Sequence, residues 1–356
     1  MRVDFFKPPV GKEEAKAVSD VIMSRWMTFG KKTEEFEEKF AEYINAPYVV
    51  MLDNATAAIH LACEYALQRL SPDLRQKISV KVPSYTCAAT ALSAIHAGLN
   101  IKFADIELDT FSMSDTKDLS IPVSFAGKYC YTKNPIVEDF AHRIERNCFT
   151  GRLQAYSFYA TKNLTTGEGG AIACKTKKQA DWFKKARLFG NNRAIHERNK
   201  MYRSKKNFWW FQSDFLGWKA NPTDIMAAMG LVQLKKIDIL NEERKRVAER
   251  YNEAFELTID RSPWHLYPIL INKRDKFLYY MRDNDVYCSL HFPPLHMMKG
   301  FKNYLMVGQE LPNSEYAYKH EVSLPLYPFL TVKEQDKVIK LTLDWIKKYD
   351  RCQYSH

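Results

Sequence analysis

The sequence predicts an α/β protein with a large mixed-sheet domain and a smaller C-terminal α+β domain. Short apolar runs alternate with amphipathic segments through most of the chain, as in a sheet covered by helices. Polar clusters directly follow several of these runs, at the carboxyl ends of strands where such sheets bind ligands. Beyond about residue 260 the strands become shorter and prolines more frequent. The long helix predicted over 225–256 looks like the connector between the two domains, which we place at residues 1–240 and 241–356.

The N-terminal part of the chain predicts helices on both sides of a first strand. Apolar residues at helical spacing indicate a helix over residues 11–25. A second helix is expected over about 33–44, with Thr33 as its N-cap. A buried strand over 47–52 leads at once into a third helix, which runs to about residue 70.

The alternation continues through the middle of the chain. Further strands are expected at 78–82 and 101–104, and helices at 87–97, 177–188 and 225–256. Apolar runs bounded by turn residues lie at 121–125 and 136–137. The polar stretch 190–210 shows no periodicity and is predicted to be a long loop of the kind that covers active sites. After residue 260 we expect strands at 265–269 and 286–291 and a final helix at 332–347.

Composition narrows the class of protein. The 356 residues are 46% hydrophobic, which suits a globular chain with a substantial core. No apolar run reaches membrane length and the N-terminus lacks a signal-peptide core, so we expect a soluble, cytoplasmic protein without a membrane partner. Seven scattered cysteines without a CxxC pair argue against a disulfide framework and against a metal site.

The net charge of +11 raises the question of nucleic-acid binding. Acidic residues are interleaved with most of the lysines, and no known recognition motif is present. A basic surface that attracts a small phosphorylated ligand explains the charge equally well. We therefore expect no nucleic-acid partner.

One lysine, Lys162, lies on a glycine-containing connection between two apolar runs within residues 153–174. Burying a lysine is costly. Burial also lowers its pKa, and the neutral amine is a nucleophile that forms Schiff bases with carbonyl compounds. Lys162 is therefore a candidate to carry pyridoxal phosphate (PLP). The alternative is an ordinary lysine on a surface turn.

Two further clusters follow predicted strands. Residues 54–56 begin a helix, where free N–H groups suit an anion, and ordinary helix capping is the alternative. Glu138 and Asp139 follow a buried strand, and one of them could pair with a pyridinium nitrogen. The alternative is an acid-rich helix start. His142, on the next turn, could donate a hydrogen bond to a ligand or be structural.

Taken in order, these segments resemble the DegT/DnrJ/StrS family of PLP-dependent sugar aminotransferases. The matching segments are SRWMTFG (24–30), NATAA (54–58), PSYT (83–86), EDFAH (138–142), residues 157–170, GWKANPTDI (217–225), HFPPLH (291–296) and LPLYP (324–328). Each match is weak alone, but the ordered set spans nearly the whole chain. The resemblance implies an aspartate-aminotransferase-like (type I PLP) fold and a homodimer that shares its two active sites.

The resemblance also implies a role for each candidate residue. Lys162 would form the Schiff base with the cofactor and later move a proton between substrate and cofactor. Asp139 would pair with the pyridine nitrogen, supported by Glu138, and His142 would bond to the ring hydroxyl oxygen. The cofactor phosphate would be held by Ala55, Thr56, Ser157 and Asn221 of the partner subunit.

The chain departs from the family pattern at two places. The position that is most often aromatic over the cofactor ring aligns with Cys87, so either Tyr85 stacks on the ring or that face is covered less fully. Ala55 replaces the usual glycine of the phosphate turn, which requires that its φ be negative. Some relatives carry histidine in place of Lys162 and act as dehydratases, so the lysine favours transamination.

These features predict an aminotransferase that moves an amino group from glutamate to a nucleotide-linked keto sugar for glycan biosynthesis. Overall similarity favours UDP- or dTDP-4-keto-6-deoxyglucose, which would give a 4-amino-4,6-dideoxy sugar of the viosamine type. Lys219, Arg193 and His291 are the expected substrate contacts. The basic segment 193–206 suits a pyrophosphate. An aminotransferase of a cyclitol ketone and a non-catalytic, PLP-binding regulatory protein are the alternatives.

Overall fold

The computed structural model describes residues 1–68, 70–75, 77–192, 212–306 and 308–349. Most of the loop predicted at 190–210 lies outside this range, and so does Arg193.

A mixed sheet occupies the N-terminal part of the chain. Its strands are β1 (Tyr48–Leu52), β2 (Ser79–Pro83), β3 (Asn100–Ala104), β4 (Leu119–Ser120), β5 (Asn134–Pro135), β6 (Glu138–Asp139), β7 (Gln154–Ser157) and β8 (Gly170–Cys174). They pair in the orders β3-β2-β4-β5 and β1-β8-β7-β6. A parallel bridge between Val123 and Asp139 joins the two groups into one sheet. Only β8 runs antiparallel to its neighbours.

Helices cover both faces of this sheet, as the alternating pattern predicts. The helices of the whole described chain are α1 (Lys12–Met23), α2 (Lys31–Ile44), α3 (Ala55–Leu67), α4 (Pro72–Arg75), α5 (Ala88–His96), α6 (Lys177–Ala186), α7 (Asp224–Phe255), α8 (Arg274–Asp283), α9 (Pro312–His320) and α10 (Val332–Tyr349). Helices α3, α5 and α6 form a core on one face, and α2 and the first turns of α7 form a core on the other. On that second face Phe158 packs edge-on against Phe36 and Phe40, with ring centroids 5.3 Å apart.

A separate core lies in the C-terminal part of the chain. It surrounds an antiparallel pair, β9 (Tyr267–Leu270) with β10 (Glu321–Leu324), and includes α8, α10 and the end of α7. Val3, near the N-terminus, is fully buried in this core and bridges to Val286. The layout agrees with a smaller α+β unit. The boundary at residue 240 stays a prediction, because α7 runs through it without a break.

The apolar run at 121–125 and the predicted strand at 286–291 form only isolated bridges. In 121–125 only Val123 bridges, because residues 125–127 form a 3-10 turn in which Ala126 has φ 52° and the chain leaves the sheet. In 286–291 the bridges are those of Val286 and Ser289. Thr33 is also not the N-cap of α2, which begins after Gly30. Its hydroxyl donates instead to Asp224 at 2.8 Å.

None of the helices within the described ranges is both long and apolar enough to cross a membrane.

Candidate active site

A cavity of about 480 Å³ opens where the carboxyl ends of the sheet strands meet the C-terminal core. Its size is within the range of small-molecule sites. Its wall contains seven of the residues singled out from the sequence: Ala55, Thr56, Asp139, His142, Ser157, Lys162 and His291. A larger hollow of about 670 Å³ lies beside α1, α2 and α7, but it contains none of the candidate site residues.

Lys162 reaches this cavity from the loop after β7. Its backbone N–H donates to the Tyr159 carbonyl at 2.9 Å, and the next residue, Asn163, is held by Arg244 and Asn241 of α7. Burial lowers the pKa of the Lys162 ammonium to about 8, although Cys87 and Asp139 oppose the shift. About a tenth of such amines are neutral at pH 7. The lysine is therefore poised to act as a nucleophile and as a proton carrier.

Asp139 and Glu138 point to opposite sides of the sheet, since successive strand residues alternate. Asp139 lies at the cavity and accepts hydrogen bonds from the Thr90 hydroxyl at 2.9 Å and the Ala141 N–H at 3.0 Å. Burial raises its pKa, opposed by these donors and by Lys162. Glu138 lies on the far side, where Tyr129, Thr150 and Gln154 donate to it. A protonated ring nitrogen beside Asp139 would compensate the buried carboxylate.

His142 has a defined donor direction. The Ala126 N–H donates to its Nδ1 at 3.2 Å, so Nδ1 carries no proton. Burial lowers the pKa of the ring well below its usual value, aided by Lys162 and His291, and the ring is neutral. The proton of the neutral ring therefore lies on Nε2. His142 can donate one hydrogen bond to a ligand oxygen.

The start of α3 forms an anion-binding turn. Asn54 caps the helix by accepting from the Ala57 N–H at 2.7 Å. The N–H groups of Ala55 and Thr56 have no acceptor among the described residues. Ala55 is not among the residues with positive φ, so the departure from glycine causes no strain here. Two free donors at a helix N-terminus suit a phosphate.

Gly170 allows this turn to lie against the sheet. A Cβ at Gly170 would be 2.3 Å from the carbonyl carbon of Asn54 and 2.5 Å from the nitrogen of Ala55. Gly170 pairs with Ser157 across β7 and β8, which brings Ser157 to the same turn. The donors of Ala55, Thr56 and Ser157 thus line one end of the cavity.

The structure does not place Tyr85 at the cavity. Its side chain is 1% exposed and packs with Phe111 and Phe125 at 5.9 Å between centroids. Its hydroxyl is 3.4 Å from Glu321. Cys87, at the N-cap of α5, lines the cavity instead. The expectation that Tyr85 stacks on the cofactor ring is therefore not supported. The chain after β2 directs the Tyr85 side chain toward the C-terminal unit instead.

Lys219 and Asn221 do not line the cavity of their own chain. The Lys219 ammonium donates to the Asn221 side-chain oxygen. Between them, the Ala220 carbonyl accepts from the Asp53 N–H at 3.0 Å, so this segment lies beside the start of α3. Arg193 lies outside the described residues.

Several cavity residues were not singled out from the sequence. His265 packs against His142 with 4.3 Å between ring centroids, and its buried Nδ1 has no partner in the described chain. Phe5 and Phe6 reach the cavity from the N-terminus. No local pattern marks these residues, since only long-range contacts bring them to the site. Within the described ranges no group of His, Cys, Asp and Glu side chains could hold a metal ion.

The chain matches the model of the DegT/DnrJ/EryC1/StrS aminotransferase family over residues 8–118 and 133–342. It is 33% identical to an uncharacterized protein of Methanocaldococcus jannaschii, MJ1066, covering 92% of this chain and 93% of that protein. It is 30% identical to the spore coat polysaccharide biosynthesis protein SpsC of Bacillus subtilis, covering 96% and 97%.

Solved structures show the same fold. Spr1654 from Streptococcus pneumoniae, assigned as a sugar aminotransferase and solved in its PMP form, superposes with a TM-score of 0.83 at 25% identity and 98% coverage of both chains. PseC of Helicobacter pylori superposes with a TM-score of 0.84 at 22% identity, covering 98% of this chain and 100% of PseC. These matches confirm the type I fold. The chain therefore belongs to the DegT/DnrJ/EryC1/StrS aminotransferase family, as a sugar aminotransferase that uses pyridoxal 5′-phosphate.

Proposed function

We propose that this enzyme transfers the amino group of glutamate to the keto group of a nucleotide-linked sugar. The observation that carries the proposal is the convergence of Lys162, Asp139, His142 and the α3 N-terminus on one cavity. The specific candidate is UDP- or dTDP-4-keto-6-deoxyglucose, which gives an amino sugar of the viosamine type. The similarity to a spore coat polysaccharide biosynthesis protein supports a product used in glycan assembly.

Each cavity residue has a task in holding pyridoxal phosphate. Lys162 would hold the cofactor through its amine, and Asp139 would keep a proton on the ring nitrogen. His142, whose Nδ1 accepts from the Ala126 N–H, would donate from Nε2 to the ring hydroxyl oxygen. The free N–H groups of Ala55 and Thr56 would bind the phosphate. When bound, the cofactor acts as an electron sink for the substrate carbon that loses or gains a proton.

Lys162 is also the residue that moves that proton. The Lys162 amine would accept this proton in its neutral form and return it in its charged form. With a pKa of about 8 its neutral and charged forms are close in free energy near neutral pH. Apolar side chains of the C-terminal unit, Leu266, Leu324 and Leu326, line the same cavity and limit the access of water.

A homodimer with shared sites is part of this proposal. Leu216 is fully exposed and Trp218 is 53% exposed, in the segment that leads to Asn221. Exposed apolar side chains next to a candidate phosphate ligand are typical of a protein interface. In a symmetric dimer this surface would pack on the partner and direct Asn221 to the other cavity. The net charge of +11 favours a substrate with a pyrophosphate.

Absorbance and product assays test the function together. The visible absorbance of the bound cofactor should bleach on addition of glutamate. The bleached enzyme should then form an amine from one member of a panel of UDP-, dTDP- and GDP-linked keto sugars. A panel of cyclitol ketones tests the other substrate class, and no turnover with any ketone would favour the regulatory protein.

The Lys162→Ala variant tests the mechanism. It should lose both the visible absorbance and turnover, because the amine that holds the cofactor and moves the proton is gone. A Lys235→Ala variant, at the larger hollow, is the matched control and should behave as wild type. Full colour and full turnover in the Lys162→Ala variant would contradict the proposed mechanism.

A further inference from the structure

A chain of hydrogen bonds leads from the cavity into the C-terminal unit. His291 lines the cavity, and its Nδ1 is 2.9 Å from the Ser323 hydroxyl. The same hydroxyl lies 2.6 Å from Oε1 of Glu321, a fully buried side chain. Oε2 of Glu321 accepts the His291 N–H at 3.0 Å. These hydrogen bonds therefore hold both the backbone N–H and the ring of His291 in place.

The donors in this chain have a definite order when Glu321 is ionised. The carboxylate can only accept, so Ser323 donates to it. The Ser323 oxygen then accepts from the Nδ1–H of His291. Nε2 of the neutral ring keeps its lone pair and has no hydrogen-bond partner among the described residues. His291 in this form offers an acceptor to the cavity, whereas His142 offers a donor.

Burial decides where an added proton resides. Burial lowers the pKa of His291 to about 3, and the Lys162 ammonium adds to this shift. His142 and His265 also face His291. A charged imidazolium is therefore disfavoured at this place.

Glu321 is the better site for the proton. Burial raises its pKa to about 8, opposed by Ser323, the His291 N–H, Arg274 and Tyr85. Cys288 also faces the carboxylate, and its thiol stays neutral because burial and Glu321 raise its pKa. Arg274 donates to the Glu321 backbone carbonyl at 3.4 Å rather than to the carboxylate. A proton taken up at His291 is thus more stable two hydrogen bonds away.

We propose that His291, Ser323 and Glu321 form a relay that takes a proton from the amino donor in the cavity and stores it on Glu321. This use rests on the proposed function, since the donor enters as an ammonium ion and must lose a proton before its nitrogen becomes a nucleophile. His291 is the residue that contacts the donor. Ser323 and Glu321 act through it as positioning residues.

The transfer balances at each atom. An ammonium N–H bond breaks as a proton joins Nε2 of His291, and the Nδ1 proton passes to the Ser323 oxygen. The Ser323 hydroxyl proton passes to Oε1 of Glu321. Each N–H or O–H bond that breaks is matched by one that forms, and no electrons are gained or lost. The ring of His291 is neutral before and after, and only its tautomer changes.

The relay makes a prediction that does not depend on activity. Above about pH 8 Glu321 is ionised, and His291 carries its proton on Nδ1. Below about pH 8 Glu321 is protonated and donates to Ser323, which in turn donates to Nδ1 of His291. His291 then carries its proton on Nε2. Nitrogen-15 NMR of histidine-labelled, cofactor-loaded enzyme distinguishes these neutral tautomers. A His291→Gln spectrum identifies the His291 signals among those of the nine histidines.

Two variants test the connection. In Glu321→Gln the amide group can donate to Ser323 at every pH, so His291 should stay in the Nε2–H form. In Ser323→Ala the tautomer should no longer follow pH through about 8. Glu334→Gln is the matched control, because Glu334 is a buried carboxylate held by Lys7 and Thr331 outside the cavity. It should leave the His291 tautomer switch unchanged.

Kinetics tests how the relay is used. The bleaching rate with saturating glutamate should rise with pH through about 8 and fall about 100-fold in Ser323→Ala, with little change in KM. A single His291 tautomer in wild-type enzyme from about pH 6 to about pH 10 would overturn the relay. If wild-type enzyme shows the tautomer switch but Ser323→Ala bleaches at the full wild-type rate, the relay is not used for proton uptake from the donor. Failure of glutamate to bleach the wild-type enzyme would count against the proposed function, while the tautomer experiment would still decide the relay.

Discussion

At the scale of single residues, the site depends on ionisable side chains whose pKa values are shifted by burial. Lys162 and Asp139 line the same cavity, and burial moves their pKa values toward neutral pH from opposite directions. Each favours the charged form of the other. Pairs of this kind are common where a group has to bind and release protons.

The lowered pKa of Lys162 predicts the pH dependence of cofactor loading. Only the neutral amine attacks the carbonyl carbon, so the rate of loading of the cofactor-free enzyme should rise with pH through about 8. An exposed lysine would need a pH near 10.4 for the same neutral fraction. The growth of visible absorbance after mixing with pyridoxal phosphate measures this rate. A rate that levels off only near pH 10 would show that the amine is not perturbed.

Replacing Asp139 by asparagine should separate binding from catalysis. The amide can still accept from the Ala141 N–H and contact Thr90, so the fold should persist. Without the negative charge the ring nitrogen loses its proton, and kcat should fall by about 100-fold or more, equivalent to about 2.7 kcal/mol. Glu138→Gln, on the far side of the strand, should reduce kcat much less. Equal losses in both variants would remove the distinction between the two carboxylates.

At the scale of elements, the phosphate turn depends on how closely α3 approaches β8. Asn54 begins the helix, while Gly170 leaves room for the backbone of the turn. The connector helix α7 contributes a different constraint. Arg244, buried on α7, donates to the Asn163 carbonyl at 3.2 Å and so holds the loop next to Lys162.

A Gly170→Ala variant tests the close approach. The added Cβ meets backbone atoms, so α3 must shift and move the donors of Ala55 and Thr56. We expect a loss of about 1–3 kcal/mol in the free energy of unfolding and a weakening of cofactor binding by about tenfold or more. Urea unfolding and cofactor titration measure the two effects. Gly300→Ala, where a Cβ meets nothing within 4 Å and φ is not positive, should match wild type in both.

At the scale of the whole molecule, the cavity is completed by parts of the chain that are distant in sequence. The N-terminal residues Phe5 and Phe6, the sheet edge and the C-terminal residues His265 and His291 all contribute to its wall. In the proposed dimer, Asn221 would add a contribution from the second chain.

Mixing two defective variants tests whether sites are shared. Lys162→Ala lacks the anchoring lysine, and Asn221→Ala should bind the cofactor more weakly because a phosphate donor is missing. If Asn221 serves the partner's cavity, a mixed dimer has one complete site, and about a quarter of all sites should recover wild-type cofactor affinity after random exchange. If the two variants carry different tags, co-purification of the tags shows that subunits have exchanged. No recovery in such exchanged dimers would place Asn221 outside the partner's site.

The local pattern of the sequence determined the sheet, the covering helices and the residues that follow its strands. Residues such as Asp139, Ser157 and Lys162 come together because the carboxyl ends of parallel strands meet at one edge, so short-range signals were enough to find them. The resemblance to a family supplied their roles, which the experiments above test.

Only the tertiary structure decided what surrounds them. It placed Tyr85 in an aromatic cluster, brought His265 against His142, and joined His291 to Glu321 through Ser323. These contacts connect segments far apart along the chain. Their direction depends on how the C-terminal unit packs against the sheet, and a single sequence carries no local signal for that packing.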